Sequence, residues 1–153
     1  MRLLNFYLKN SGLSYNVRMK QNAKFNILLV DNEIAVVKAF QRQLENAGYA
    51  VKAFDSGQDA IEAAKLEHFD IAYIDLVMPG LNGVEICRKI KELSPKTEVI
   101  LISGYPDDII VKGVGDFIKA GGRDKILRKP LLNNELLEIT KELILEIIGK
   151  RRD

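Results

Sequence analysis

The chain has 153 residues, 47% of them apolar and 29% charged, with one cysteine and a formal net charge of +2. That is the size and composition of a single globular domain, which excludes a disordered or fibrous protein and a large multidomain enzyme. The lone Cys87 excludes an intramolecular disulfide framework and a multi-cysteine metal site and agrees with a reducing, cytoplasmic setting, while no apolar run approaches the roughly 18 residues of a membrane span.

The charge is unevenly spread. Residues 1–24 carry Arg2, Lys9, Arg18, Lys20 and Lys24 and no acid, so the rest of the chain is net acidic. Polar residues such as Asn5, Asn10, Ser11 and Gly12 interrupt every apolar run there, so no secretory core forms; only a short amphipathic piece around Leu3–Leu8 is expected. This extension reads as a frayed tail, or as translation from an upstream start with Met19 opening the natural protein, rather than as an arm for a partner or membrane. The overall basic balance is therefore no argument for nucleic-acid binding. One domain is expected over residues 25–149, with a short basic tail at 150–153.

From Phe25 onward, short β-branched or apolar runs alternate with segments of helical period. The runs are Phe25–Val30, Ala50–Phe54, Ile71–Ile74, Glu98–Ile102 and Lys125–Leu127. The first helix repeats Val37, Phe40, Leu44 and Ala47 on one face and stops at Gly48. The second is expected to open at Ser56-Gly57, the third at Asn82-Gly83, the fourth at Pro106 and the fifth near Asn133-Asn134. Five strand–helix units with short connections predict a doubly wound α/β fold, its parallel sheet covered on both faces. Gly113 and Gly115 weaken the fourth helix by about 1 kcal/mol each against alanine, which marks it as a candidate mobile element. In the fifth, Leu136, Leu137, Ile139, Leu143, Ile144, Ile147 and Ile148 cover about half the circumference, with Leu145 outside even that arc. This is more than one core requires. The excess is read as cover for a homodimer contact, for the N-terminal extension, or for an output module.

In such a sheet, ligands sit beyond the carboxyl ends of the strands. Asp31, Asn32 and Glu33 follow the first run, Asp75 the third and Ser103 the fourth, while Lys129 lies near the end of the fifth. Asp55 follows the second run, but an edge position for that strand leaves it outside the group. Asp31 and Asp75 with the Asn32 amide oxygen make an oxygen-only site suited to Mg2+. Lys129 and Ser103 supply an ammonium and a hydroxyl for phosphoryl oxygens. Asp75, at the end of a buried strand, is the natural carboxylate nucleophile. His68 reads as a surface residue at a helix–strand junction, and Cys87 as partly buried packing beside Ile86 and Ile90.

Val30-Asp31-Asn32-Glu33, Asp75-Leu-Val-Met-Pro-Gly-Leu-Asn-Gly83, Ser103-Gly104-Tyr105-Pro106 and Leu127-Arg128-Lys129-Pro130, in that order, resemble the receiver domain of bacterial two-component response regulators over about Phe25–Ile148. The resemblance implies a flavodoxin-like sheet of order 2-1-3-4-5. It implies that Asp75 accepts a phosphoryl group from a histidine kinase or phosphotransfer protein, with no other substrate turned over. Asp31, Asn32, Asp75 and the Val77 backbone carbonyl would hold Mg2+, Ser103 would stand at the switch hydroxyl, Lys129 at the phosphate contact, and the Lys129–Pro130 bond would be cis. The fourth helix, fifth strand and fifth helix would form the signalling and dimer face.

Two departures bear on that implication. Asn32 replaces the usual second acid, which removes a negative charge and weakens Mg2+ binding. Ile126 stands where many relatives carry a switch aromatic. Val77 and Tyr105, two residues beyond Asp75 and Ser103, border the expected approach of hydrolytic water and would prolong the phosphoform. The competing readings are a receiver-like docking or dimerisation module that no longer takes phosphate, and, more remotely, a phosphohydrolase of the haloacid dehalogenase type. With no room for an effector before Asp153, the chain is expected to be either a stand-alone receiver or part of a longer protein.

Overall fold

The computed structural model describes residues 25–104 and 106–152. The basic extension 1–24, including the Leu3–Leu8 piece, and Tyr105 lie outside the described residues. The elements, in chain order, are β1 (Asn26–Val30), α1 (Ile34–Asn46), β2 (Ala50–Phe54), α2 (Gly57–Leu66), β3 (Ile71–Asp75), α3 (Gly83–Leu93), β4 (Glu98–Ser103), α4 (Asp107–Lys119), β5 (Ile126–Arg128) and α5 (Glu135–Arg152). The five strands form one sheet of order β2-β1-β3-β4-β5. Every neighbouring pair is parallel, which is the expected flavodoxin-like arrangement with β2 at an edge.

Strand periodicity divides the core. Ile27, Leu29, Ile71, Tyr73, Ile100 and Ile102 face one side and pack with Leu44 of α1 and Leu136, Ile139, Leu143 and Ile147 of α5. Leu28, Val30, Ala72, Ile74, Val99 and Leu101 face the other, against Ala60 of α2, Ile86, Cys87 and Ile90 of α3, and Phe117 of α4. Covering both faces explains why the central strands read as unbroken apolar runs. On the first side, the buried Tyr73 hydroxyl is 2.6 Å from Thr140 Oγ1, and the Thr140 hydroxyl donates to Leu136 O.

Several boundaries differ from expectation in an informative way. The ladder carries β3 and β4 one residue further, so Asp75 pairs with Ile102 and Ser103 with Arg128 as strand residues. Their side chains therefore spring from hydrogen-bonded backbone. Pro106 is the cap of α4 rather than its first residue. The last helix continues through Arg152, so Lys150 and Arg151 are helical; they pair with Glu98 at 2.8 Å and with Asp70 at 2.7 Å. Its wide apolar arc is absorbed largely by the sheet, leaving Leu145 exposed at 64%. Cys87 is fully rather than partly buried. His68 is exposed, with its ring 3.0 Å from Ser94 Oγ. In α4, Gly113 is a close-approach residue: a Cβ there would stand 2.9 Å from the Leu76 side chain. Among the described residues, no helix is long and apolar enough to cross a membrane.

Candidate functional site

The carboxyl ends of β1, β3 and β4, with the segment after β5, converge on one rim. Asp31 follows β1 directly, and its backbone N–H donates to Phe54 O at the end of β2. Its Oδ1 accepts the Glu33 N–H at 2.9 Å, and its Oδ2 accepts from Lys129 Nζ at 2.7 Å. Lys129 is placed by its own backbone, whose N–H donates to Ser103 O at 2.9 Å and extends the ladder past β5. The Lys129–Pro130 peptide is cis, as the resemblance implied. Lys129 Nζ also lies 3.2 Å from Glu33 Oε1 and 3.6 Å from Asp75 Oδ2.

Asp75 closes β3 and is only 2% exposed. The segment behind it is tied down locally. Gly83 N–H donates to Leu76 O, and Asn82 and Glu85 form a reciprocal capping box at the start of α3. A Cβ on Gly83 would meet Asp75 O at 2.5 Å and Leu76 Cα at 2.9 Å, so this contact requires glycine.

The electrostatics of the rim are unbalanced. Burial raises the Asp75 pKa, and the nearby Asp31 charge raises it further; Lys129 and the amides of Val77 and Leu76 act the other way, and the result is about 6. Burial works to lower the Lys129 pKa, but the hydrogen bond to Asp31 and the charges of Asp75 and Asp31 outweigh it, so the ammonium is held above its ordinary value. Asp70, a buried carboxylate at the opposite end of the sheet, makes an instructive contrast. It accepts the Asn26 N–H at 2.8 Å and pairs with Arg151. Asp75 Oδ1, by contrast, is a buried oxygen with no hydrogen-bond partner. A buried carboxylate oxygen left in this way costs free energy unless a further cation or donor meets it.

Asp31, Glu33 and Asp75 each offer a carboxylate oxygen within 4.8 Å of the others. An all-oxygen set with an orphaned buried acceptor fits a hard divalent cation. Of the residues singled out from sequence, Asp31, Asp75 and Lys129 meet here. Ser103 is buried at the adjoining strand end and bonded through its carbonyl to Lys129. Asn32 lies between two members of the cluster and is itself exposed, while Val77 is half-buried. Asp55 is exposed and outside the carboxylate cluster. Glu33 is the addition: the sequence showed it beside Asp31 and Asn32, but only its reach to Lys129 makes it part of the site. An open groove lined by Glu33, Val36, Phe40, Lys129, Pro130 and Leu131 leads onto the rim.

A family model, the response regulator receiver domain, matches residues 27–141. The response regulator receiver protein CpdR of Brucella abortus is 32% identical over 119 residues, covering 77% of this chain and 96% of that protein. The transcriptional regulatory protein ResD of Bacillus subtilis is 29% identical over 126 residues, covering 82% of this chain. This chain spans half of ResD, and less of several other curated relatives that it matches. Among solved structures, a CheY-like receiver domain protein from Methanospirillum hungatei superposes with a TM-score of 0.76 at 27% identity, covering 82% of this chain and 98% of that one.

Proposed function

Because this chain belongs to the response regulator receiver domain family, we propose that it is a phosphorylation switch in which Asp75 accepts the phosphoryl group. The observation that carries the reading is the buried Asp75 carboxylate at the strand end, with Oδ1 unpaired and Oδ2 3.6 Å from the Lys129 ammonium. An Asp75 oxygen bonds to phosphorus as the phosphorus–nitrogen bond of a phosphohistidine breaks, and the electron pair leaves with the imidazole. The donor is accordingly a histidine kinase or phosphotransfer protein, for which the groove beside Lys129 offers an approach. With a pKa near 6, Asp75 is mostly ionised at neutral pH and available as the nucleophile.

Lys129 meets charge that develops on the transferred group, and its bonds to Asp31 and Glu33 hold it there in advance. Ser103, on hydrogen-bonded strand backbone, is the switch hydroxyl. Asp31 and Asp75, with the Asn32 amide oxygen and the Val77 carbonyl, would hold Mg2+, which when bound supplies positive charge against the phosphoryl oxygens. The transferred group adds roughly −1.5 to −2 charge beside Lys129, by analogy with other phosphoresidues, and so biases the conformational equilibrium of the rim and the α4-β5-α5 face. A homodimer through that face and an output domain on a longer chain belong to the same proposal.

Incubation with acetyl phosphate and Mg2+, followed by intact mass measurement, tests the reading. The wild-type chain is expected to gain one phosphoryl group, and Asp75→Asn none. An unmodified wild type would instead support the docking module, and turnover of phosphate monoesters would support the hydrolase.

A further inference from the structure

We propose that Glu33 supplies a third carboxylate to the divalent-cation site, beside Asp31 and Asp75, and with it the charge that Asn32 does not carry. The proposal rests on the reading of Asp31 and Asp75 as cation ligands and adds a residue to that site. Glu33 occupies the cap position of α1, yet its side chain makes no capping hydrogen bond. Its backbone N–H is pinned to Asp31 Oδ1, which fixes the root of the side chain at the rim. Although 62% exposed, the carboxylate turns onto Lys129 Nζ at 3.2 Å instead of extending into solvent.

The oxygens of Asp31, Glu33 and Asp75 lie within 4.8 Å of one another. Oxygens about 2.0–2.1 Å from Mg2+ in octahedral geometry are separated by about 3–4 Å. Only a small contraction is needed, and Glu33 can provide it because it is exposed and has three side-chain torsions. The orphaned Asp75 Oδ1 is the independent sign that a cation belongs among these groups. Charge balance points the same way. Among the described residues, the cation that meets all three of Asp31, Glu33 and Asp75 is Lys129, one positive charge against three negative when all are ionised, so the cluster attracts a dication. A neutral residue at position 33 would remove half of that excess.

Mn2+, which takes similar oxygen ligands, serves as the probe: its binding to the full chain is followed by the electron paramagnetic resonance signal of the free ion. Glu33→Gln is expected to weaken Mn2+ binding about tenfold, the low end for removing a group that supports a metal site. A similar loss is expected in a Lys129→Met background, and adding Asn32→Asp to Glu33→Gln is expected to restore affinity. Circular dichroism of each variant checks that it is folded. Glu33→Gln binding within about twofold of wild type would overturn the proposal. So would a loss that disappears in the Lys129→Met background, since Glu33 would then act only by positioning the lysine. If Asp75→Asn abolishes binding while Glu33→Gln is silent, the cation site stands and Glu33 is not part of it. A wild type that binds no Mn2+ would overturn both the proposal and the cation-site reading.

Discussion

Asp75→Asn is expected to make the metal-free protein more stable at pH 7.5, by on the order of 2–3 kcal/mol, while removing the proposed phosphoryl acceptor. The reason is the cost of keeping a charge where Asp75 sits. Its pKa is about 6 in the fold, against about 3.9 in an unfolded chain. Between those values the folded state holds a proton that the unfolded state has released, so stability falls as pH rises through the window and then levels off. At about 1.4 kcal/mol per pKa unit, the full loss is on the order of 3 kcal/mol. Asparagine has no proton to lose and keeps a similar shape. The gap between variant and wild type should therefore be small near pH 4, grow to pH 6 and stay constant above. Urea unfolding at a series of pH values in the presence of a chelator measures it. A gap that does not change with pH would show that Asp75 is not strained by its own charge. Added Mg2+ should then stabilise the wild type and narrow the gap, because a ligand that binds only the folded state stabilises it by mass action.

Gly83→Ala is expected to cost about 2–3 kcal/mol and to slow phosphorylation of Asp75 in the same variant. Overpacking usually costs 1–3 kcal/mol, and the upper end applies where the obstacle is backbone. Here the added methyl would meet the Asp75 carbonyl and Leu76 Cα. Relief requires moving either the start of α3 or Asp75, the proposed nucleophile, at the end of β3. The matched control is Gly115→Ala in α4, where a Cβ meets nothing within 4 Å and helix propensity favours alanine by about 1 kcal/mol. Chemical unfolding reads the stability of both variants, and the rate of mass gain with acetyl phosphate reads the site. Equal effects of the two substitutions would refute the close contact as the cause.

The alternation of strands and helices was legible because a parallel sheet covered on both faces leaves a plain signature: short apolar runs separated by amphipathic segments. The grouping of residues at the candidate site was legible for a related reason. The ends of such strands meet on one rim, so Asp31, Asp75, Ser103 and Lys129 could be grouped before any contact was known. Element ends were less legible. Asp75 and Ser103 look like loop residues because they are polar, and only the ladder to neighbouring strands makes them strand residues. The wide apolar arc of the last helix is plain on a helical wheel, but the wheel cannot show that the sheet covers most of it and leaves Leu145 exposed.

The sequence by itself determined the fold class, the strand ends that meet at the candidate site and the oxygen-rich character of that site, because these follow from periodicity and residue type. Tertiary structure decided how the groups interact. Lys129 bonds to Asp31 across 98 residues of sequence, Glu33 turns inward to join them, and Asp75 Oδ1 is left without a partner. Distance and burial set those energies, and neither is a property of a residue's neighbours along the chain.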